Sequence, residues 1–425
     1  MLVRLAIGAA SAFVLALGAF GLLARGGDGT PAARADVPQL PPASAGTDAR
    51  IAALGGIVRA RPRQAEGYVR LAGAYAQKLR ETGDAQLYAK ASDLLERALR
   101  LRPEDPAALT QRGELALSRH DFRAALRDAR AARRLAPDVD KPFGVLVDAL
   151  VELGRYPEAG RALQAMVDRK PDLAAYTRVS YWRELHGDLA GARQAMVLAA
   201  SAGGDSAENT AYTGVLLSHI DLLRGRLDLA GREARGALHR FPGYPAAEAA
   251  LARVQAARGD LRGAIARLRR LVDRLPLPEY VIALGETEIA AGMRARGRHD
   301  LALVGAEQRL LASAGVNSDT ELAVFEADHG SPKRALALAR RAFTAAPSVR
   351  SADALGWALT RSGRPRDGLR WARRALKLGS RDPVFLAHAG LAARAAGAGA
   401  EARRRLAAAR RSPALPPLLA REVAR

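Results

Sequence analysis

The chain has 425 residues, 49% of them hydrophobic but only 5% aromatic, so a large core must be built mainly from Ala and Leu. It has no cysteine, which excludes a disulfide framework, a Cys-ligated metal site, a Cys nucleophile and a lipid-modified N-terminal Cys. The net charge of +22 points toward nucleic acid or membrane, but only six of the 66 basic residues are Lys and only Asn209 and Asn317 are Asn, so the Arg excess reads first as the codon bias of a GC-rich, bacterial genome.

The first element is the uncharged stretch Leu5–Ala24, bracketed by Arg4 and Arg25. Its length matches the ~20 residues that cross a bilayer as a helix. It exceeds a usual signal-peptide apolar region, and no small-x-small cleavage site follows closely. Residues 1–24 therefore read as an uncleaved anchor in preference to a cleaved signal. Either way the remainder is expected outside the cytoplasm, bound to the membrane only through this helix or secreted after cleavage. Residues 25–48 are rich in Pro, Gly and Ala and read as a flexible linker.

From residue 49 to 420 the chain is periodic. A leading half-unit, "DARIAALGGIVRARP", precedes a train of proline-terminated segments. Pro103, Pro137 and Pro171 are 34 residues apart, and so are Pro242 and Pro276. Before each proline, small and apolar residues recur in steps of four and three: Ala91, Leu95, Ala98; Ala125, Ala129, Ala132; Ala159, Leu163, Met166; Ala230, Ala234, Ala237; Ala264, Leu268, Leu271. Such steps place them on one helical face. The proline then stops the helix, because it has no N–H and disfavours a helical residue before it. An earlier helix in each unit carries a second stripe, for instance Phe143, Leu146, Val147 and Leu150. Short turns such as "LGRYPEA" and "RGDLRGA" join the two, with Gly and Asp suited to a C-cap and an N-cap.

This pattern resembles the tetratricopeptide repeat (TPR), with units beginning at Tyr68, Leu109, Phe143, Tyr176, Gly214, Glu248, Val281, Asp319, Ala352 and Leu386. The resemblance implies an all-α, right-handed superhelical solenoid of about ten helix-turn-helix repeats. Small residues at the helix crossings let backbones approach, and neighbouring pairs stack to bury what one pair cannot. Unit spacings of 34, 33 and 38 occur twice in succession. The longer units carry Ser201–Thr210 and Arg309–Thr320, expected to stand out as loops.

No P-loop, HExxH, GxSxG or calcium-loop motif is present. "GAGAEA" (residues 397–402) matches a weak dinucleotide fingerprint, but no strand precedes it, so it reads as a repeat turn. His120, His186 and His329 fall in equivalent turns and read as polar turn residues. Glu326, Asp328 and His329 lie close in sequence, but nothing supplies the further ligands a metal needs. No catalytic residue, cofactor or metal is therefore expected.

In TPR proteins the first helix of each pair lines a concave groove that holds peptide ligands. By that resemblance the groove residues are Glu66, Glu114, Lys141, Asp148, Tyr181, Glu184, Tyr212, His219, Arg253, Glu286, Asp353 and Trp357. Tyr176, Tyr181, Trp182 and Tyr212 form an aromatic concentration that serves either inter-repeat packing or a binding hot spot. The Arg-rich second helices (Arg127, Arg130, Arg133 and Arg134; Arg232 and Arg235; Arg370, Arg373, Arg374 and Lys377) face outward, with few acidic neighbours in sequence. Apart from Trp371 that face lacks the aromatics of a nucleic-acid groove, so nucleic acid is not the expected partner. The expectation is a non-catalytic scaffold that binds a protein or peptide and organises a complex at the cell envelope. The alternative is an anion binder (nucleic acid, anionic lipid or wall polymer) acting through the convex Arg face.

Overall fold

The computed structural model describes residues 46–204 and 206–425. The anchor segment and nearly all of the linker lie outside the described residues. Among those described, no helix is long and apolar enough to cross a membrane.

The described chain is all-α, with helices packed in consecutive antiparallel pairs. Helix α1 (Gly46–Ala60) packs on the first pair and caps it. Ten pairs follow: α2 (Ala65–Thr82) with α3 (Gln86–Leu101), α4 (Pro106–Ser118) with α5 (Phe122–Leu135), α6 (Lys141–Glu152) with α7 (Tyr156–Arg169), and α8 (Leu173–Leu185) with α9 (Leu189–Ala202). Next come α10 (Ala207–Leu223) with α11 (Leu227–Arg240), α12 (Pro245–Ala257) with α13 (Leu261–Arg274), and α14 (Pro278–Ala290) with α15 (Arg294–Ala302), which a kink at Leu303 extends as α16 (Val304–Ser313). The last three are α17 (Asp319–His329) with α18 (Pro332–Ala345), α19 (Val349–Arg361) with α20 (Pro365–Ala375), and α21 (Pro383–Ala395) with α22 (Gly399–Arg410). Helix α23 (Pro417–Ala424) ends the chain. All ten expected unit starts fall inside first helices. Each of the five spaced prolines lies two residues past the end of a second helix.

Local chemistry sets the boundaries. Asp105, Asp121, Asp172, Asp188, Asp260 and Asp382 each accept a backbone N–H of the first turn that follows them. Most turns inside pairs close on a left-handed residue. Glycine takes this role at Gly83, Gly154, Gly187 and Gly225, and His120, with φ of 60°, takes it in the α4–α5 turn; the α17–α18 turn at Gly330 differs, with φ of −126°.

The crossings are as tight as the small residues require. A Cβ on Gly356 would lie 3.0 Å from the Gly368 carbonyl oxygen, and one on Gly285 would lie 2.9 Å from that of Gly297. Ala125, Ala129 and Ala132 have no exposed surface. With these contacts at van der Waals distance, the larger Leu and Val side chains fill the space on either side.

The long units depart from expectation. Ala207–Thr210 belong to α10 and Arg309–Ser313 to α16, so the extra residues lengthen helices rather than forming projecting loops. The segment after α16 is also pinned. The Asn317 N–H donates to the Arg119 carbonyl at 2.9 Å, and the Asn317 carbonyl sits 2.6 Å from Nδ1 of His120. Each turn satisfies backbone groups on the other.

That contact belongs to a seam. Roughly every 190 residues the chain returns to itself, and the turns of early pairs meet the loops that precede later ones. The backbone of Gly154 comes so close to Pro347 that a Cβ would lie 2.3 Å from its carbonyl oxygen. Gly187 meets the Gly379 carbonyl in the same way. Arg123 donates to the carbonyls of Thr344 and Ala345, and Arg350 pairs with Glu152 at 3.7 Å. One continuous core joins Leu117 through Ile220 with Ala346 through Ala389. The repeat array is wound tightly enough that its second turn packs on its first.

Candidate functional site

The residues expected to line the groove all lie on first helices, and the structure links six of the twelve to a neighbouring repeat. Arg178 on α8 reaches back to Asp148 on α6 with two hydrogen bonds, at 2.9 and 2.7 Å, both side chains being buried. His219 lies 3.3 Å from Glu184, His388 lies 2.9 Å from Asp353, and His329 lies 2.9 Å from Glu286. Trp357 is buried, stacks on His388 with centroids 4.2 Å apart, and donates Nε1–H to Asp328 at 2.9 Å. These side chains form rungs between neighbouring inner helices. Glu66 and Lys141, by contrast, are exposed at helix starts, and Glu66 pairs with Arg70.

The electrostatics follow from burial. Burial pushes the Glu114 carboxyl up to about 8, although Lys141, Arg80 and Arg178 pull it down. Burial also raises Asp382 to about 6. In His388 burial opposes the charge, but the Asp353 carboxylate outweighs it and the pKa is raised. Glu286 does the same for His329. One guanidinium nitrogen of Arg253, Nη1, is buried with no hydrogen-bond partner among the described residues.

The four aromatics of the Tyr176–Tyr212 region share one apolar core, with Tyr181 and Tyr212 buried and Tyr176 and Trp182 at its edge. Trp182 turns toward Gly160 and lies 4.4 Å from the ring of His186, away from the other three. Tyr212 also lines a cavity. That cavity, of about 410 Å³, lies between the end of α2, the start of α10 and residues 241–245. Tyr212, Phe241 and Tyr244 supply its aromatic surface, and Arg80, Arg274, Glu81 and Glu208 its charges. Burial lowers the pKa of Arg80, against the opposing pull of Glu208 and Glu114. Sequence periodicity missed Arg80 and Tyr244, because Arg80 is near a helix end and Tyr244 lies in a loop.

Near the other end of the array, α23 folds over the inner helices. Arg361 on α19 donates to Glu422 at 2.9 Å, and Val423 is fully buried. Pro416, Leu418 and Leu419 face Glu286, Asp328, His329 and His388 across this contact. The three residues weighed as metal ligands point to separate partners: Glu326 to Arg334 and the Ser331 N–H, Asp328 to Trp357 and Arg361, His329 to Glu286. No metal-capable cluster occurs among the described residues.

The basic second helices are exposed as expected, with Arg130 half-buried, but they are less bare than their own sequence suggests. Carboxylates arrive from the neighbouring repeat. Arg193 binds Asp221, Arg130 binds Glu158, and Arg373 binds Glu401, each 28 residues on. Arg370 pairs with Asp367, Arg374 lies over the rings of Phe343 and Trp371, and Lys377 lies over Tyr156 across the seam.

No family model and no curated protein matches the chain. Among solved structures, a human IFIT1 dimer with m7Gppp-AAAA is similar at 17% identity and a TM-score of 0.49, over 78% of this chain and 77% of that one. A human IFIT1 dimer with PPP-AAAA is similar at 16% identity and a TM-score of 0.48, over 78% of each chain. The MamA protein is similar at 15% identity and a TM-score of 0.30, over 40% of this chain and 91% of that one. The helix pairs, their small-residue crossings and their period make this chain a TPR-like all-helical repeat protein.

Proposed function

We propose that the chain is a non-catalytic scaffold that binds a protein or peptide along its inner helices, outside the cytoplasm at the cell envelope. In this reading Leu5–Ala24 tethers it or is removed on export. The observation that carries the binding reading is the cavity of about 410 Å³ beside Tyr212. Its aromatic walls suit an apolar side chain, and Arg80 and Arg274 suit a carboxylate, so a peptide with an acidic group next to an apolar residue fits it. The groove end under α23 is already covered, and this supports a partner on the earlier repeats. Arg130, Arg370 and Arg373 are paired with carboxylates and Arg133, Arg374 and Lys377 lie over aromatic rings, and this supports the groove over the convex face.

The test is affinity capture from the native extract with residues 46–425, beside the same protein carrying Arg80→Glu. A partner retained by the parent and lost by the variant supports the reading. Capture of nothing, or of the same proteins by both, overturns it.

A further inference from the structure

Away from the groove, the seam opens into a cleft of about 1110 Å³. Four separate segments line it. The α8–α9 turn brings His186, Gly187 and Asp188, and the α10–α11 turn brings Arg224 and Arg226. The loop before α21 brings Ser380 and Arg381, and the end of α22 brings Arg411 and Ser412. Leu189, Leu223 and Leu386 form apolar wall between them. We propose that this cleft binds a compact multivalent oxyanion of the condensed-phosphate class, which bridges the two turns of the array.

The charge layout carries the proposal. Arg224 and Arg226 stand on the first-turn lip, and Arg381 and Arg411 on the second-turn lip. Among the described residues, no carboxylate lies within ion-pair distance of Arg226, Arg381 or Arg411. Arg224 has only Asp221 at 3.8 Å, and Arg193 already holds that carboxylate. The acid in the cleft wall, Asp188, accepts the Gly191 N–H and lies 3.6 Å from Arg183. At Arg130, Arg193 and Arg373, by contrast, carboxylates answer from the neighbouring repeat. The seam closes to backbone contact at Gly154 and Pro347, and again at the edge of this cleft, at Gly187 and Gly379. Beside that contact the four arginines line one cleft, two from each turn of the array.

Like charges across a seam oppose its closure unless an anion lies between them. Arginine forks match the paired oxygens of phosphoryl groups, and several forks converging from both lips select a ligand with several charges over a single phosphate.

The experiment uses the full chain in 150 mM salt, titrated with inorganic tripolyphosphate by calorimetry and by thermal shift. Expected are saturable binding, a rise in Tm, and at least a tenfold weaker affinity in Arg381→Glu/Arg411→Glu. The milder Arg381→Gln/Arg411→Gln pair, which removes charge without reversing it, should show a smaller loss in the same direction. Arg127→Glu/Arg134→Glu on α5 changes net charge equally at exposed positions and should alter affinity less than twofold. Sulfate at matched ionic strength should bind at least tenfold more weakly. A parallel titration with ATP separates two sources of the same chemistry: equal affinity assigns the phosphate chain of a nucleotide, weaker affinity the free anion. The proposal is overturned if the parent does not bind tripolyphosphate, if the cleft variants bind as well as the parent, or if the α5 pair loses as much as the cleft pair.

Discussion

The hydroxyl of Tyr156 accepts the backbone N–H of Val349 at 2.8 Å, across 193 residues of sequence. Val349 opens α19, so this N–H has no partner within its own helix. A side chain of the first turn of the array thus caps a helix of the second. Tyr156→Phe keeps the ring and the Lys377 contact but leaves the buried N–H unpaired. The expected cost is about 1–3 kcal/mol in urea unfolding. Amide exchange should speed first at residues 347–350. An unchanged midpoint would mean that water replaces the hydroxyl and that the seam is not held here.

Gly154 and Gly259 separate two reasons for a glycine. Both have positive φ, 68° and 84°. A Cβ at Gly259 meets nothing within 4 Å, whereas one at Gly154 meets the Pro347 carbonyl. Gly259→Ala should cost about 1 kcal/mol, the left-handed penalty alone. Gly154→Ala should cost that plus about 1–3 kcal/mol of forced separation at the seam. Equal losses would show that the seam yields freely, and small-angle scattering of the Gly154 variant should then show no expansion.

The Arg178–Asp148 pair is buried and doubly hydrogen-bonded. Asp148→Ala leaves a guanidinium stranded among apolar helices and should cost about 3–5 kcal/mol. The double change Asp148→Leu/Arg178→Met removes both charges and should recover most of that loss. A double variant as unstable as the single would show instead that the pair contributes net stability, beyond satisfying itself.

Stability should fall as pH rises from about 5 to beyond 8. Glu114, pushed up to about 8, and Asp382, pushed up to about 6, hold protons in the folded chain that the unfolded chain releases near the ordinary carboxylate range. The raised His388 and His329 act in the same direction. Their contribution is complete below the unfolded value of about 6.5 and is lost as pH passes their folded values. Glu114→Gln should flatten the decline, with its advantage over the parent growing toward pH 8 in Tm measurements. If the two curves run parallel, Glu114 is not charged against burial.

Much of the fold was legible because its causes are local. A proline two residues past five of the second helices, Ala125, Ala129 and Ala132 at steps of four and three, and Asp caps before first turns act within one or two helical turns of chain. The candidate groove was only partly legible. The periodicity placed Asp148, Glu184, His219, Glu286 and Trp357 on inner helices. Their partners, Arg178, His329, Asp328 and the neighbouring carboxylates and histidines, depend on the stagger between repeats. That stagger turned an apparent peptide-gripping surface into cross-repeat rungs. Arg80 and Tyr244 carry no periodic signal, because one lies in a final turn and the other in a loop.

The sequence by itself determined the repeat: an all-helical array with small residues where helices cross and arginines on the outer face. Those features depend on interactions between residues a few positions apart, or between one repeat and the next. Only the tertiary structure decided that the array closes on itself, that His120 meets Asn317, and that Arg226 comes to line one cleft with Arg381 and Arg411. Closure sums a small rotation over several successive repeats, and each rotation depends on the packing of whole helix faces. A contact across some 190 residues therefore has no signature at any single position.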